Sequence, residues 1–192
     1  MPPRILVFSG SIRTGSHNAR LAALVAKEIA RTEAEVSLIS LQDFSMPIYD
    51  GDREASSGPP DAAVKLKRMV CAHHGVFIAS PEYNASVAPL LKNAIDWVSR
   101  VRDPKEPPLA AYRNRAFALG AASNGSLGGM RSLMALRQIL ELGCGALVIP
   151  EQISVRAAAQ AFDDQDEIKD PQLAAVVRTT AQRLIEVARH FA

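Results

Sequence analysis

Five short runs rich in Val, Ile, Leu and Phe alternate along the chain with longer stretches of helical periodicity, and nothing else in the sequence restricts the fold as much. The runs are Arg4–Phe8, Glu35–Ser40, Gly75–Ser80, Arg115–Ala121 and Gly145–Ile149. The first helical stretch, Asn18–Arg31, places Leu21, Leu24, Val25 and Ile29 on one face. The second covers about Asp61–Ala72, with Val64, Leu66 and Met69. The third, Pro89–Arg100, begins with proline at a first helical position and carries Leu90, Leu91, Ala94, Ile95 and Val98. The fourth spans about Gly129–Leu142. The last, Pro171–Phe191, has Asp170 as its N-cap. Strand and helix in alternation call for a parallel sheet joined by right-handed crossovers. Near-continuous apolar strands agree, because such a sheet is buried on both faces. The expectation is a single α/β domain over residues 1–192, a three-layer sandwich with strand order 2-1-3-4-5.

Composition bounds the partners. The chain has 192 residues, 48% of them apolar and 22% charged, which fits one globular domain. A net charge of +2 is too weak to argue for nucleic acid. No stretch approaches the roughly 18–20 apolar residues of a membrane span. The opening MPPR runs into a strand without the pattern of a signal peptide. Cys71 and Cys144 are far apart, with no Cys-x-x-Cys spacing. A cytoplasmic protein with reduced thiols, no membrane partner and no nucleic-acid partner is expected.

In a sheet of that order, ligands bind beyond the carboxyl ends of strands 1, 3 and 4. The segments there are "SGSIRTGSHN", "SPEYNAS" and "ASNGSLGG". In the first, Ser11, Thr14, Ser16 and Asn18 supply polar side chains, Gly10 and Gly15 let the backbone turn closely, and Arg13 supplies a charged fork. A phosphate needs that set beside a helix N-terminus. The plain alternative is a polar turn in which Ser16 caps the helix. The spacing matches neither Gly-x-Gly-x-x-Gly nor the P-loop. In the second segment Pro81 stiffens the backbone, Tyr83 can present an aromatic face, and Asn84 and Ser86 can hydrogen-bond. The third offers Ser123, Asn124, Gly125 and Ser126, the last also a candidate helix cap. The irregular stretches Leu41–Pro60 and Arg102–Asn114 are long enough to suggest functional loops.

Together, Ser9-Gly10-Ser11-Ile12-Arg13 with Ser16 and Asn18, then Pro81-Glu82-Tyr83-Asn84 ahead of Leu91-Lys92-Asn93-Ala94-Ile95-Asp96-Trp97, resemble the NADPH-dependent FMN reductase family. This flavodoxin-like group includes quinone, chromate and azo-dye reductases, and the likeness runs from Arg4 to about Ile149. The resemblance implies a flavodoxin-like fold and a bound FMN reduced by NADPH or NADH. Its phosphate would be held by Ser11, Arg13, Ser16 and Asn18. The flavin ring would be lined by Pro81, Glu82, Tyr83 and Asn84, and approached by Ser123, Asn124 and Gly125. It implies ping-pong transfer of hydride to quinones or other small acceptors, no catalytic side chain beyond the flavin and no metal, and a homodimer or homotetramer. The family commonly has glycine after Pro-Glu-Tyr-Asn and Pro-Gly soon after; this chain has Ala85 and then Ala88-Pro89. If Ala85 needs a positive φ, it costs about 1 kcal/mol or more.

Two other readings stand beside this one. A one-electron carrier of flavodoxin type would share the cofactor without oxidising NAD(P)H itself. Such carriers tend to be acidic, whereas this chain has 22 basic and 20 acidic residues. A dinucleotide-binding enzyme would want an acid after strand 2, near Asp43, but the glycine fingerprint is missing. His73 and His74 adjoin without a third metal ligand. Cys71 reads as a helix-end thiol and Cys144 as core.

Overall fold

The computed structural model describes residues 1–192. The elements in chain order are β1 (Arg4–Ser9), α1 (His17–Ala30), β2 (Glu35–Ser40), α2 (Gly51–Ser57), α3 (Asp61–Cys71), β3 (Gly75–Ala79), β4 (Glu82–Tyr83), β5 (Ser86–Val87), α4 (Pro89–Arg100), β6 (Ala116–Ala122), α5 (Met130–Gln138), β7 (Leu147–Val155), α6 (Ala158–Ala161) and α7 (Pro171–Ala188). Five strands form one parallel sheet in the order β2-β1-β3-β6-β7. This is the flavodoxin-like order expected, with the two-residue strands β4 and β5 standing apart as a hairpin.

Alternate residues of each strand point to opposite faces, and here both faces are covered. Ile5 and Val7 of β1 pack with Phe77 against Leu21, Val25 and Ile29 of α1 and Val177 and Leu184 of α7. Leu6 and Phe8 pack with Val76, Ile78 and Phe117 against Leu66 of α3, Leu91, Ile95 and Val98 of α4, and Leu133 and Leu136 of α5. Each fully buried Leu, Ile or Phe contributes about 1.5–3 kcal/mol of transfer free energy. Burial of successive residues is why the strands read as unbroken apolar runs.

Several boundaries move. The last strand runs on to Val155, well past Ile149. Phe117 pairs with Val148 but Leu119 pairs with Gln152, so β7 bulges around Pro150, which has no N–H to give to a ladder. The helix expected to reach Leu142 is α-helical to Gln138 and widens into a π turn over Ile139–Gly143. Asp170 caps α7 as expected, its side chain accepting from the Gln172 N–H. The stretch Leu41–Pro60 is not bare loop. It holds a 3-10 turn over Leu41–Phe44 and then α2. It is tied to α4 by Trp97 Nε1 and Asn93 Nδ2, both donating to the Pro47 carbonyl at 2.7 and 2.9 Å. Trp97 is fully buried, and the Tyr49 ring meets it edge-on with centroids 5.0 Å apart.

The β4–β5 hairpin turns through Asn84 and Ala85, with φ of 48° and 64°. Two central residues at positive φ are the requirement of a type I′ turn, which favours Asn-Gly. Asn tolerates that region; alanine crowds its Cβ against the carbonyl, at about 1 kcal/mol. Ala85→Gly is therefore expected to stabilise the protein by up to about 1 kcal/mol, less the entropy glycine adds to the unfolded chain. A denaturant midpoint below that of the parent would contradict the strain.

Candidate active site

Three loops meet at the carboxyl end of the sheet, and each is held by a different contact. The first, Gly10–Ser16, begins where the Gly10 N–H donates to the Ala79 carbonyl at 2.8 Å. A Cβ at Gly10 would lie 3.0 Å from Leu91 and 3.2 Å from Pro81, so a bare backbone is what lets this loop pack against α4 and the second loop. The Arg13 guanidinium staples the loop by donating to the Thr14 and Gly15 carbonyls at 3.0 and 3.1 Å. Ser16 is buried and caps α1, accepting from the Ala19 N–H.

The second loop is held by α5. That helix starts at Gly129, which has φ of 83° and no side chain to cap with. A Cβ there would stand 2.5 Å from that of Ala121, so glycine is required by space as well as conformation. Glu82 supplies the missing cap from across the cleft. Its carboxylate accepts from the Arg131 N–H at 3.1 Å, the Arg131 Nε at 2.8 Å and the Ser132 N–H at 3.4 Å. Burial pushes the Glu82 carboxyl up, but the Arg131 side chain and these N–H groups outweigh it and hold the carboxyl below its ordinary value. Ser132 Oγ donates to the Pro81 carbonyl at 3.0 Å and lies 2.7 Å from Ser80 Oγ, so the turn into the hairpin is fixed at three points.

The third loop is joined to the first by Asn18. Its Nδ2 donates to the Ala122 carbonyl and its Oδ1 accepts from the Ala122 N–H, both at 2.9 Å. Beyond Ala79 strand β3 has ended, and the Asn18 amide takes the place of the next strand residue.

A cavity of about 140 Å³ opens where the loops converge, lined by Ser11, Arg13, Ser16, His17, Asn18, Pro81, Glu82, Tyr83, Ala122 and Ser123. A larger cavity of about 450 Å³ lies at the carboxyl ends of β1 and β2 beside α1, lined by Ser9, Ser11, Ala19, Leu38, Ser40, Asp43 and neighbours. It draws nothing from the second and third loops. The smaller one is the one that draws on all three loops. Among its lining residues the backbone N–H groups of His17 and Asn18 make no hydrogen bond within the protein, and neither do those of Ile12, Thr14 and Gly15 in the adjoining loop. Ser11 and Ser16 each accept one bond and keep a proton to donate. His17 Nδ1 is shielded from solvent and has no partner. Burial, then the charges of Arg13 and Arg20, lower the His17 pKa, so the free imidazole is neutral at pH 7. The one acid in the lining, Glu82, is turned to Arg131. Orphan donors at the N-terminus of a fourteen-residue helix, with no facing carboxylate, suit a phosphate. At the other end Pro81 and the half-exposed ring of Tyr83, 51% accessible, offer a firm wall for a planar ring.

The lining thus gathers Ser11, Arg13, Ser16, Asn18, Pro81, Glu82, Tyr83 and Ser123 of the residues expected from sequence. Asn84, Asn124 and Gly125 stand outside it. Asn84 forms the hairpin tip, and Asn124 Oδ1 accepts from the Ala159 N–H at the start of α6. Ser126 is not a cap of α5. Glu82 is taken up by Arg131 and Ser132 and positions the second loop, while Asn18 bonds Ala122 through its Oδ1 and one Nδ2 proton and keeps the other Nδ2 proton in the lining. His17 and Arg131 were not foreseen. His17 lay between two expected residues at a helix start, which was its only signal; Arg131 had none, since its role depends on a hairpin 49 residues away. The histidine pair is accounted for otherwise: His73 bonds Met69 and Ser37, and His74 meets Arg4. No helix is long and apolar enough to cross a membrane.

Residues 3–160 match the family described as NADPH-dependent FMN reductase. An NAD(P)H-dependent FMN reductase of Pseudomonas aeruginosa is 34% identical over 183 residues, 94% of this chain and 92% of that one. A quinone reductase of Escherichia coli is 38% identical over 138 residues, covering 71% of this chain and 69% of its own. Among solved structures, the flavoenzyme NAD(P)H:(acceptor) oxidoreductase FerB of Paracoccus denitrificans superposes with a TM-score of 0.78 at 23% identity, covering 98% of each chain.

Proposed function

Because the chain belongs to the NADPH-dependent FMN reductase family, we propose that its three-loop cleft holds FMN and serves the transfer of hydride from NAD(P)H to quinones or other small acceptors such as free flavin, azo dyes or metal oxyanions. The observation that supports this reading is the convergence of the three loops on one cavity whose donors are unpartnered and whose single acid is turned away. The redox chemistry is what FMN supplies when bound: it takes two electrons with hydride and gives them to a second substrate. The protein's own part is to bind, orient and shield.

Ser11, Ser16 and the N–H groups at the start of α1 would hold the phosphate, with Arg13 adding charge. Pro81 and Tyr83 would flank the ring, while Ser123 and the loop after β6 bound its far side. A hairpin fixed to α5 by Glu82 and Ser132 keeps Tyr83 in place, so the slot it borders has a defined width. The exposed side of Tyr83 leaves one open approach, which nicotinamide and acceptor would have to use in turn. Leu127 and Met134 expose apolar side chains on the third loop and the helix after it, which suits a homodimer or homotetramer covering them; a monomer by light scattering at micromolar concentration would count against that assembly.

Steady-state kinetics with NAD(P)H and a quinone test the reading. Parallel lines in double-reciprocal plots, and activity that depends on added FMN, are expected. Intersecting lines would contradict alternate use of one approach. Arg13→Ala is expected to weaken FMN about tenfold to a hundredfold, since a charge-assisted hydrogen bond contributes roughly 1.5–3 kcal/mol. Riboflavin, which lacks the phosphate, should lose much less. Equal losses for both flavins would show that Arg13 only shapes the loop.

A further inference from the structure

We infer that His17 is a second phosphate-reading group of this cleft, and that it takes up a proton from solvent as the phosphate of FMN binds. The inference rests on the FMN reading above and adds to it a residue and a pH dependence. His17 is the first residue of α1 and lines the cavity together with Ser11, Arg13 and Ser16. One ring nitrogen, Nδ1, is cut off from solvent and bonded to nothing. A buried polar atom without a partner is costly, and such atoms are normally satisfied by protein, water or ligand. In a cavity of free N–H donors, a group rich in acceptor oxygens satisfies it.

Charge explains why the proton would arrive with the ligand. Arg13 from the loop and Arg20 one turn along α1 both repel a proton from the ring. Arg20 is partly offset by Asp166 at 2.5 Å, from the loop ahead of α7. Glu82, across the cavity, is neutralised by Arg131. The helix N-terminus adds partial positive charge. Burial, then Arg13 and the part of Arg20 that Asp166 does not offset, therefore favour the neutral form. A phosphate dianion reverses the local field, and a protonated imidazole then gains a charge-assisted hydrogen bond. A group whose pKa is raised by binding strengthens binding at low pH and loses that gain as pH rises through the bound-state value. The phosphate's own second ionisation, near pH 6, acts in the opposite direction, so the two effects separate by mutation.

Isothermal calorimetry of FMN binding to apo-protein, in buffers of different ionisation heats, reads proton uptake directly. Uptake of a substantial fraction of one proton per FMN at about pH 7 is expected for the parent protein, and none for riboflavin. His17→Gln, neutral at every pH, should lose that uptake. Between about pH 6 and 8 the parent should lose FMN affinity relative to His17→Gln, on the order of tenfold. Nitrogen shifts of the His17 imidazole, with and without FMN, should show the protonated ring only in the complex, in the parent protein itself. Equal uptake in parent and variant, with FMN still preferred to riboflavin, would overturn the role of His17 while leaving the site assignment intact. Failure of the parent protein to bind FMN at any pH would overturn both.

Discussion

Arg115→Met is expected to lower stability by about 3–5 kcal/mol while leaving FMN binding by the folded protein unchanged. Arg115 is buried, 7% accessible, at the amino end of β6 and remote from the cleft. Its guanidinium donates to the carbonyls of His73 at 2.8 Å, Ala110 at 3.0 Å, Arg113 at 3.2 Å, and Val70. Two of these carbonyls sit at or just past the C-terminal end of α3, where helix carbonyls carry partial negative charge, and Val70 also accepts from the His73 N–H at 3.2 Å. No carboxylate makes an ion pair with Arg115, so the carbonyls are its counterion, and burial lowers its pKa. Methionine fills similar volume but leaves the His73, Ala110 and Arg113 carbonyls without the guanidinium's donors, and Val70 with the His73 N–H alone. Loss of charged hydrogen bonds to buried groups costs about 1.5–3 kcal/mol each when isolated, less when shared. For a chain of this size that is a fall in Tm on the order of 10 °C. Lysine should rescue little, because a point charge cannot reach several carbonyls in one plane. A loss under about 1 kcal/mol for Arg115→Met would show that water replaces the guanidinium.

Asn18→Ala is expected to damage fold and site together. The side chain is buried, and its amide closes both Ala122 bonds across 104 residues of sequence. Alanine leaves a buried N–H and a buried C=O unpaired, at about 1–3 kcal/mol each, so a total loss of roughly 2–4 kcal/mol is expected in urea unfolding. Because the same bonds hold the first loop against the third, FMN affinity should fall more than tenfold. Asn18→Asp separates the two effects. The carboxylate can still accept from the Ala122 N–H, but it opposes the Ala122 carbonyl and places a negative charge beside the phosphate donors. It should weaken FMN more than riboflavin. Parent-like stability in Asn18→Ala would show that the amide is not the link between the loops.

Arg115 also shows how far the sequence could be read. It was legible as the first residue of a strand, since an apolar run follows it, but its work as a helix-end clamp depends on residues 42 and 45 positions away. The parallel sheet and its order were legible because burial on both faces writes itself as unbroken apolar runs. The end of β7 was not, because Pro150, Glu151 and Gln152 break the run where the strand bulges. The first loop was legible as a polar turn running into a capped helix, because Ser16 stands where the helical periodicity begins. The duties within it were not. Asn18 looks like a phosphate ligand in sequence, and nothing there shows that its amide also takes the place of a strand residue beside Ala122. Glu82 looks like part of a ring-lining turn and is the cap of a helix whose own start is a glycine. Ala85 was the one local conflict visible beforehand, and its φ of 64° shows the strain to be real.

The central claim is that this cleft holds FMN and that NAD(P)H and the acceptor use it in turn. The most direct measurement is anaerobic mixing of the FMN-loaded protein with NAD(P)H alone, following the visible flavin band. The account predicts one FMN per chain and full bleaching with no acceptor present, followed by full return of the band on adding quinone. A protein that binds no FMN, or one whose band bleaches only when NAD(P)H and quinone are both present, would contradict it.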